Sequence, residues 1–128
     1  MRRLVHEASL SQMLKTLLGQ TAEARAETWL KQQGLAPITR NWRCRFGEID
    51  LIMQDGDTLV FVEVRLRNHR DFGDGAASVT PAKQKKLLAA ARAYLATLKT
   101  LPACRFDVVA LRDGAPPDWL RNAFDDMG

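Results

Sequence analysis

The chain has 128 residues, a formal net charge of +4, 46% apolar residues and two cysteines. That length suits one domain with one real core, and the composition excludes fibrous and disordered classes. The moderate basic excess suits a polyanionic partner, though it also suits many unrelated soluble proteins. Cys44 and Cys104 stand far apart, with no Cys-x-x-Cys or Cys/His cluster, so neither a zinc site nor a disulfide framework is expected. No run is long enough to span a membrane, and the interrupted start lacks the apolar core of a signal peptide. The expectation is a cytoplasmic protein.

In chain order, Leu10, Met13, Leu14, Leu17 and Leu18 recur at helical spacing, which makes residues 1–18 an extension with helical character. Gly19 is expected to separate it from a second helix over 21–33, with Ala22, Ala26, Trp29 and Leu30 facing inward and Gly34 as its stop. Residues 19–128 then form the single folded domain. Three strands follow, at 38–42, 46–53 and 58–65. Between the last two, Asp55-Gly56 is a strong hairpin signal. Residues 68–79 read as a mobile loop. Thr80-Pro81 supplies an N-cap and a proline at the first helical position, and opens a helix whose apolar face runs from Leu87 to Leu98. A strand at 105–111 and a short helix at 119–124 complete the chain. The fold class is α/β, a mixed sheet flanked by helices in the order helix, three strands, helix, strand.

Three carboxylates interrupt this strand-forming sequence: Glu48 and Asp50 in Gly47-Glu48-Ile49-Asp50-Leu51-Ile52, and Glu63 in Phe61-Val62-Glu63-Val64-Arg65. A charge removed from water must be paired or bind a metal. With Asp55 and Gly56 as the two central turn residues, Asp50 stands opposite Phe61 and Glu48 opposite Glu63. Glu48, Asp50, Glu63 and Arg65 then share a face, with Asp50 and Glu63 diagonal neighbours at roughly 7–8 Å. Such a pair can hold one cation. Oxygen donors without nearby His or Cys select Mg2+ or Mn2+ over zinc, and that ion would polarise a phosphoryl oxygen and generate a nucleophilic water. The same pattern also fits a cross-strand ion-pair ladder on a solvated sheet. The apolar run Leu59-Val60-Phe61-Val62, typical of a strand covered on both faces, argues against the ladder.

Both strand motifs, together with Gly19-x-x-Ala22-Glu23-x-x-Ala26, Asn41-Trp42-Arg43, Lys83-Gln84 and the strand around Arg105-Phe106-Asp107, closely resemble the bacterial YraN family. Its pattern is similar to the restriction-endonuclease-like fold and to archaeal Holliday-junction resolvases, which use an Asp…Glu-x-Lys metal site. The resemblance implies that Asp50 and Glu63 are metal ligands, that Glu23 matches the first-helix glutamate, and that Arg65 fills the lysine position as a catalytic residue. It further implies action on DNA, including branched structures, and a homodimer. Arginine does not readily surrender a proton, so a non-catalytic nucleic-acid-binding or protein-interaction module on the same scaffold stands as the alternative.

Arg43, Arg45, Arg67, Lys83 and Gln84 are the expected nucleic-acid contacts, with Trp42 and Phe72 among them as stacking surfaces. Lys85 and Lys86 read as the solvated face of their helix. Glu23 and Glu48 each have a plain alternative, a solvated helix charge and an edge carboxylate paired with Arg45 or Arg65. His69 is a loop histidine able to exchange protons near neutral pH. Asp107 reads as a partner for an arginine, and Trp29, Tyr94 and Trp119 as core aromatics.

Overall fold

Apolar runs at 51–53 and 59–62 lie within two long strands over 47–67, and the rest of the molecule is built on them. The computed structural model describes residues 7–67 and 79–124; ahead of Ala22, only the side chains of Leu10, Ser11 and Leu14 are described. The loop residues 68–78, with His69, Arg70 and Phe72, and the first six residues, with His6, lie outside the described residues. The elements are α1 (Glu7–Gln32), β1 (Ala36–Cys44), β2 (Gly47–Asp55), β3 (Thr58–Arg67), α2 (Pro81–Leu95), β4 (Ala103–Arg112) and β5 (Asp118–Leu120).

The five strands form one sheet in the order β1-β2-β3-β4-β5. All neighbours are antiparallel except β3 and β4, which run parallel through the α2 crossover. This α/β arrangement of a mixed sheet and two helices is compatible with a restriction-endonuclease-like core. No helix among the described residues is long and apolar enough to cross a membrane.

Two cores lie on opposite faces of the sheet. On one, Leu87, Ala91 and Leu95 of α2 pack on Ile52, Phe61, Phe106 and Val108. On the other, Ala22, Ala26 and Leu30 of α1 pack on Leu51, Met53, Val60, Val62 and Val109. Burying each large side chain contributes roughly 1.5–3 kcal/mol. The strand β3 is therefore apolar on both faces, as its sequence suggests, and Glu63 is an exception within it at 5% exposure.

Three expectations need correction. Gly19 does not divide two helices, because α1 runs unbroken for 26 residues; a single interior glycine costs only about 1 kcal/mol and does not end a helix. Residues 119–124 do not form a helix. Trp119 instead pairs with Val109 across the β4–β5 ladder, and its Nε1 donates to Asp107 at 2.9 Å.

The third correction concerns the hairpin. Asp55 pairs with Thr58 and Leu51 with Val62, so the two central turn residues are Gly56 and Asp57. Gly56 has φ 59°, while Asp57 has no positive φ. That suits a turn that places glycine first, the II′ type, rather than one needing φ > 0 at both positions. The register has moved by one pair relative to the expectation, carrying Glu63 away from Glu48 and toward Asp50.

Candidate metal centre

Asp50 lies where the β2–β3 ladder opens. Ile49 and Ile52 both pack in the α2-side core, whereas Leu51 packs in the α1-side core. Strict alternation would put Ile49 and Leu51 on one face, so the period-2 pattern skips at Asp50. Regular pairing with β3 extends only to Leu51 and Val62. Beyond it, Asp50 Oδ2 accepts from the Val64 backbone N–H at 2.9 Å. A carboxylate thus replaces a backbone carbonyl as the partner of that donor. The expected single shared face for Glu48, Asp50, Glu63 and Arg65 is accordingly replaced by a meeting at a strand opening.

From the α1 side, Glu23 joins Asp50. With Ala22, Val64, Arg65 and Leu66 these residues line an open cleft of about 240 Å³. Ala22 and Ala26 allow the helix to approach the sheet closely, bringing the glutamate one residue after Ala22 down onto the strands. Glu23 Oε1 is buried without a hydrogen-bond partner among the described residues. Burial, then the charges of Asp50 and Glu48, push the Glu23 carboxyl up to about 7, with the Asn41 amide acting against them. Asn41 has φ 56° in the middle of β1, a left-handed conformation that asparagine tolerates better than most residues.

Glu63 reaches the site from the α2 side. Its carboxyl is also pushed up to about 7, first by burial and then by Asp50, while Lys83 and Arg65 draw it back. The Asp50 carboxyl is raised as well, mainly by burial, against the Val64 N–H bond. Glu63 Oε2 lies 3.5 Å from Arg65 Nε and 3.8 Å from Lys83 Nζ. The Asp50 charge raises both Glu23 and Glu63, so the three carboxyls share one electrostatic neighbourhood.

This donor set fits a hard cation held by two carboxylates. All the donors are oxygens, they are mutually repulsive and desolvated, and one has an unsatisfied buried atom. No set of three or more His, Cys, Asp or Glu side chains grips a single point among the described residues. Asp50 and Glu63 would be the protein anchors, and water and phosphate oxygens would complete the shell, as is common for Mg2+.

The other expected residues are distributed unevenly. Arg43 and Arg45 lie at the β1–β2 connection, where Arg43 Nε donates to Glu48 at 2.6 Å and Arg45 stacks over Phe46. Glu48 is thus an ion-paired carboxylate near the start of the interior strand β2, and its partner is Arg43 rather than Arg45 or Arg65. Arg67 ends β3. Gln84 Nε2 donates to Val79 O at 2.9 Å, tying down the start of α2. Lys83, expected only as a phosphate contact, instead reaches into the carboxylate cluster. Asn41 is a site neighbour that sequence reasoning did not single out. Asp107 meets its expectation as an arginine partner: it pairs with Arg105 at 3.0 Å and accepts from the Asn122 N–H and the Trp119 indole.

The sequence pattern described as "Uncharacterised protein family UPF0102" matches residues 22–111. A UPF0102 protein of Nitrosospira multiformis is 55% identical over 115 residues, covering 88% of this chain and 97% of its own. One from Cupriavidus necator is 59% identical over 119 residues, covering 91% and 90%. A third, from Aeromonas hydrophila, is 56% identical over 109 residues, covering 83% of each.

Proposed function

The chain belongs to the UPF0102 family, the YraN-like family its strand motifs resemble, and we propose that it is a Mg2+- or Mn2+-dependent phosphodiesterase acting on DNA, with branched or irregular structures as its preferred substrates. One observation carries this reading above the rest. Two carboxylates from adjacent strands, half-buried Asp50 and buried Glu63, converge at a break in the β2–β3 ladder beside an open cleft. A structural protein gains little from such a break, because it brings like charges together at the cost of backbone pairing.

When bound, the cation supplies Lewis acidity and a nucleophilic water near neutral pH. The remaining tasks belong to the chain. Asp50 and Glu63 hold the cation, and Glu23 completes the acidic lining of the cleft. The Arg65 guanidinium offsets charge that develops on the phosphoryl group. Arg43, Arg45 and Arg67 extend positive charge along the exposed surface, where contacts to a phosphate backbone are independent of sequence. A DNA substrate implies a cytoplasmic location.

The test is cleavage of labelled duplex, nicked, flapped and four-way DNAs with Mg2+ or Mn2+. Wild type is expected to cut at least one structure, chelator to abolish the cutting, and Asp50→Ala to reduce it by about 100-fold or more. Identical traces from wild type and Asp50→Ala on every substrate would defeat the catalytic claim. A second reading rests on a specific contact. Arg65 and Lys83 already offset the charge of Glu63, which favours a binding module that retains the nuclease scaffold. That module would bind DNA equally well in chelator and after Glu63→Gln.

A further inference from the structure

The strand position that holds lysine in the Asp…Glu-x-Lys pattern is occupied here by Arg65. A second cation reaches the same carboxylate from a different element. Lys83, in the first turn of α2, has its Nζ 3.8 Å from Glu63 Oε2. Its placement is built into the helix start. Thr80 Oγ1 accepts from the Lys83 backbone N–H, Pro81 opens the first turn, and Gln84 clamps Val79 O. The first turn of α2 carries no acidic residue to neutralise the ammonium locally. The Lys83 side chain is 42% exposed, so it stands at the rim of the cluster and can meet a ligand.

We propose that Lys83 is the catalytic lysine of this site, supplied by α2 instead of β3, and that it passes from Glu63 to a non-bridging oxygen of the scissile phosphate when cation and DNA bind. The inference rests on the phosphodiesterase reading above. In that reaction a water oxygen bonds to phosphorus as the bond from phosphorus to the sugar oxygen breaks. The water loses a proton to solvent, and the leaving oxygen takes one up. Lys83 remains an ammonium throughout and donates to the phosphoryl oxygen as its charge grows. A compact charge on a flexible four-carbon stem can make that move, whereas a planar guanidinium anchored on a strand is suited to staying in place.

An ammonium and a divalent cation both seek Glu63 Oε2, so removing the ammonium has two opposite effects. Metal binding strengthens while cleavage weakens. A salt bridge that only held Glu63 in position would lower both together.

The experiment uses the full chain as wild type, Lys83→Ala, Lys83→Arg, Arg65→Lys and the double variant Arg65→Lys/Lys83→Ala. Mn2+ affinity is read by calorimetry, and cleavage on the labelled duplex, flap and four-way DNAs. Lys83→Ala is expected to bind Mn2+ about tenfold more tightly and to cut about 100-fold more slowly. Lys83→Arg keeps the charge and the wild-type Mn2+ affinity but recovers little of the rate. In the Arg65→Lys background a lysine is restored to β3, and loss of Lys83 there costs less than about tenfold. Wild-type cutting by Lys83→Ala, a fall in its Mn2+ affinity, or an equal loss in both backgrounds would each overturn the role of Lys83 while leaving the phosphodiesterase intact. A wild type that cuts none of the DNAs overturns both.

Discussion

Glu63→Gln is expected to stabilise the metal-free protein at pH 8 and to leave its stability nearly unchanged at pH 5. The Glu63 carboxyl is raised from 4.5 to about 7, by burial first and then by Asp50, and that value already includes the attraction of Lys83 and Arg65. A carboxyl with a raised pKa binds its proton more tightly in the folded state than in the unfolded chain. Stability is therefore greatest when the group is protonated, and is lost as pH rises from about 4.5 toward 7. At about 1.36 kcal/mol per unit, the shift is worth up to about 3 kcal/mol. Glutamine keeps the shape and cannot ionise, so at pH 8 it recovers about 1–3 kcal/mol, or about 4–10 °C in melting temperature for a domain of this size. The assay is thermal unfolding by circular dichroism in chelator at pH 5 and pH 8, followed by the same melts with Mn2+. Added Mn2+ raises the melting temperature of wild type and not of Glu63→Gln. A variant that is destabilised at pH 8, or equally stabilised at both pH values, would refute the claim that burial of the Glu63 carboxylate outweighs its pairing with Arg65 and Lys83.

Asp107 is fully buried and accepts from Arg105, Trp119 and Asn122. Asp107→Ala leaves a largely buried guanidinium with Asp55 as its remaining partner, and costs about 3–5 kcal/mol in chemical denaturation; a cost under about 1 kcal/mol would contradict the account of β5. Arg43→Ala, Arg45→Ala and Arg67→Ala each weaken binding to all DNA sequences alike. Each also reduces the slope of log affinity against log salt by about one, read by fluorescence anisotropy. Sequence-selective losses would place these arginines on base edges instead.

The existence of β2 and β3, the Thr80-Pro81 helix start and the double-sided burial of Leu59 to Val62 were legible in the sequence because each is a local consequence of propensity or composition. The hairpin register was not. Asp55-Gly56 suggests a turn with two positive φ values, while the chain uses Gly56 alone in that role, and one pair of slip decides whether Glu48 or Asp50 comes up to Glu63. The skip in alternation at Asp50 arises from a side chain replacing a backbone acceptor, which no periodicity announces. The reach of Lys83 into the cluster is a tertiary event, since its spacing on α2 is that of an ordinary solvated lysine. Trp119 looked like a helical core residue; the buried carboxylate of Asp107, which accepts from the Trp119 indole and the Asn122 N–H, is what draws that segment into the sheet edge. Glu23 carried only the weak local signal of neighbouring alanines that permit close packing, and family resemblance gave it its role.

Asp50 and Glu63 are proposed to form a metal centre. Calorimetric titration of Mn2+ into wild type and Asp50→Asn, both in metal-free buffer at pH 7.5 (a value chosen for the assay, about half a unit above the raised carboxyl of Glu63), tests it most directly. Wild type is expected to give a saturable heat that disappears in Asp50→Asn while the fold is retained. Equal heats in the two proteins, or none in either, would contradict it.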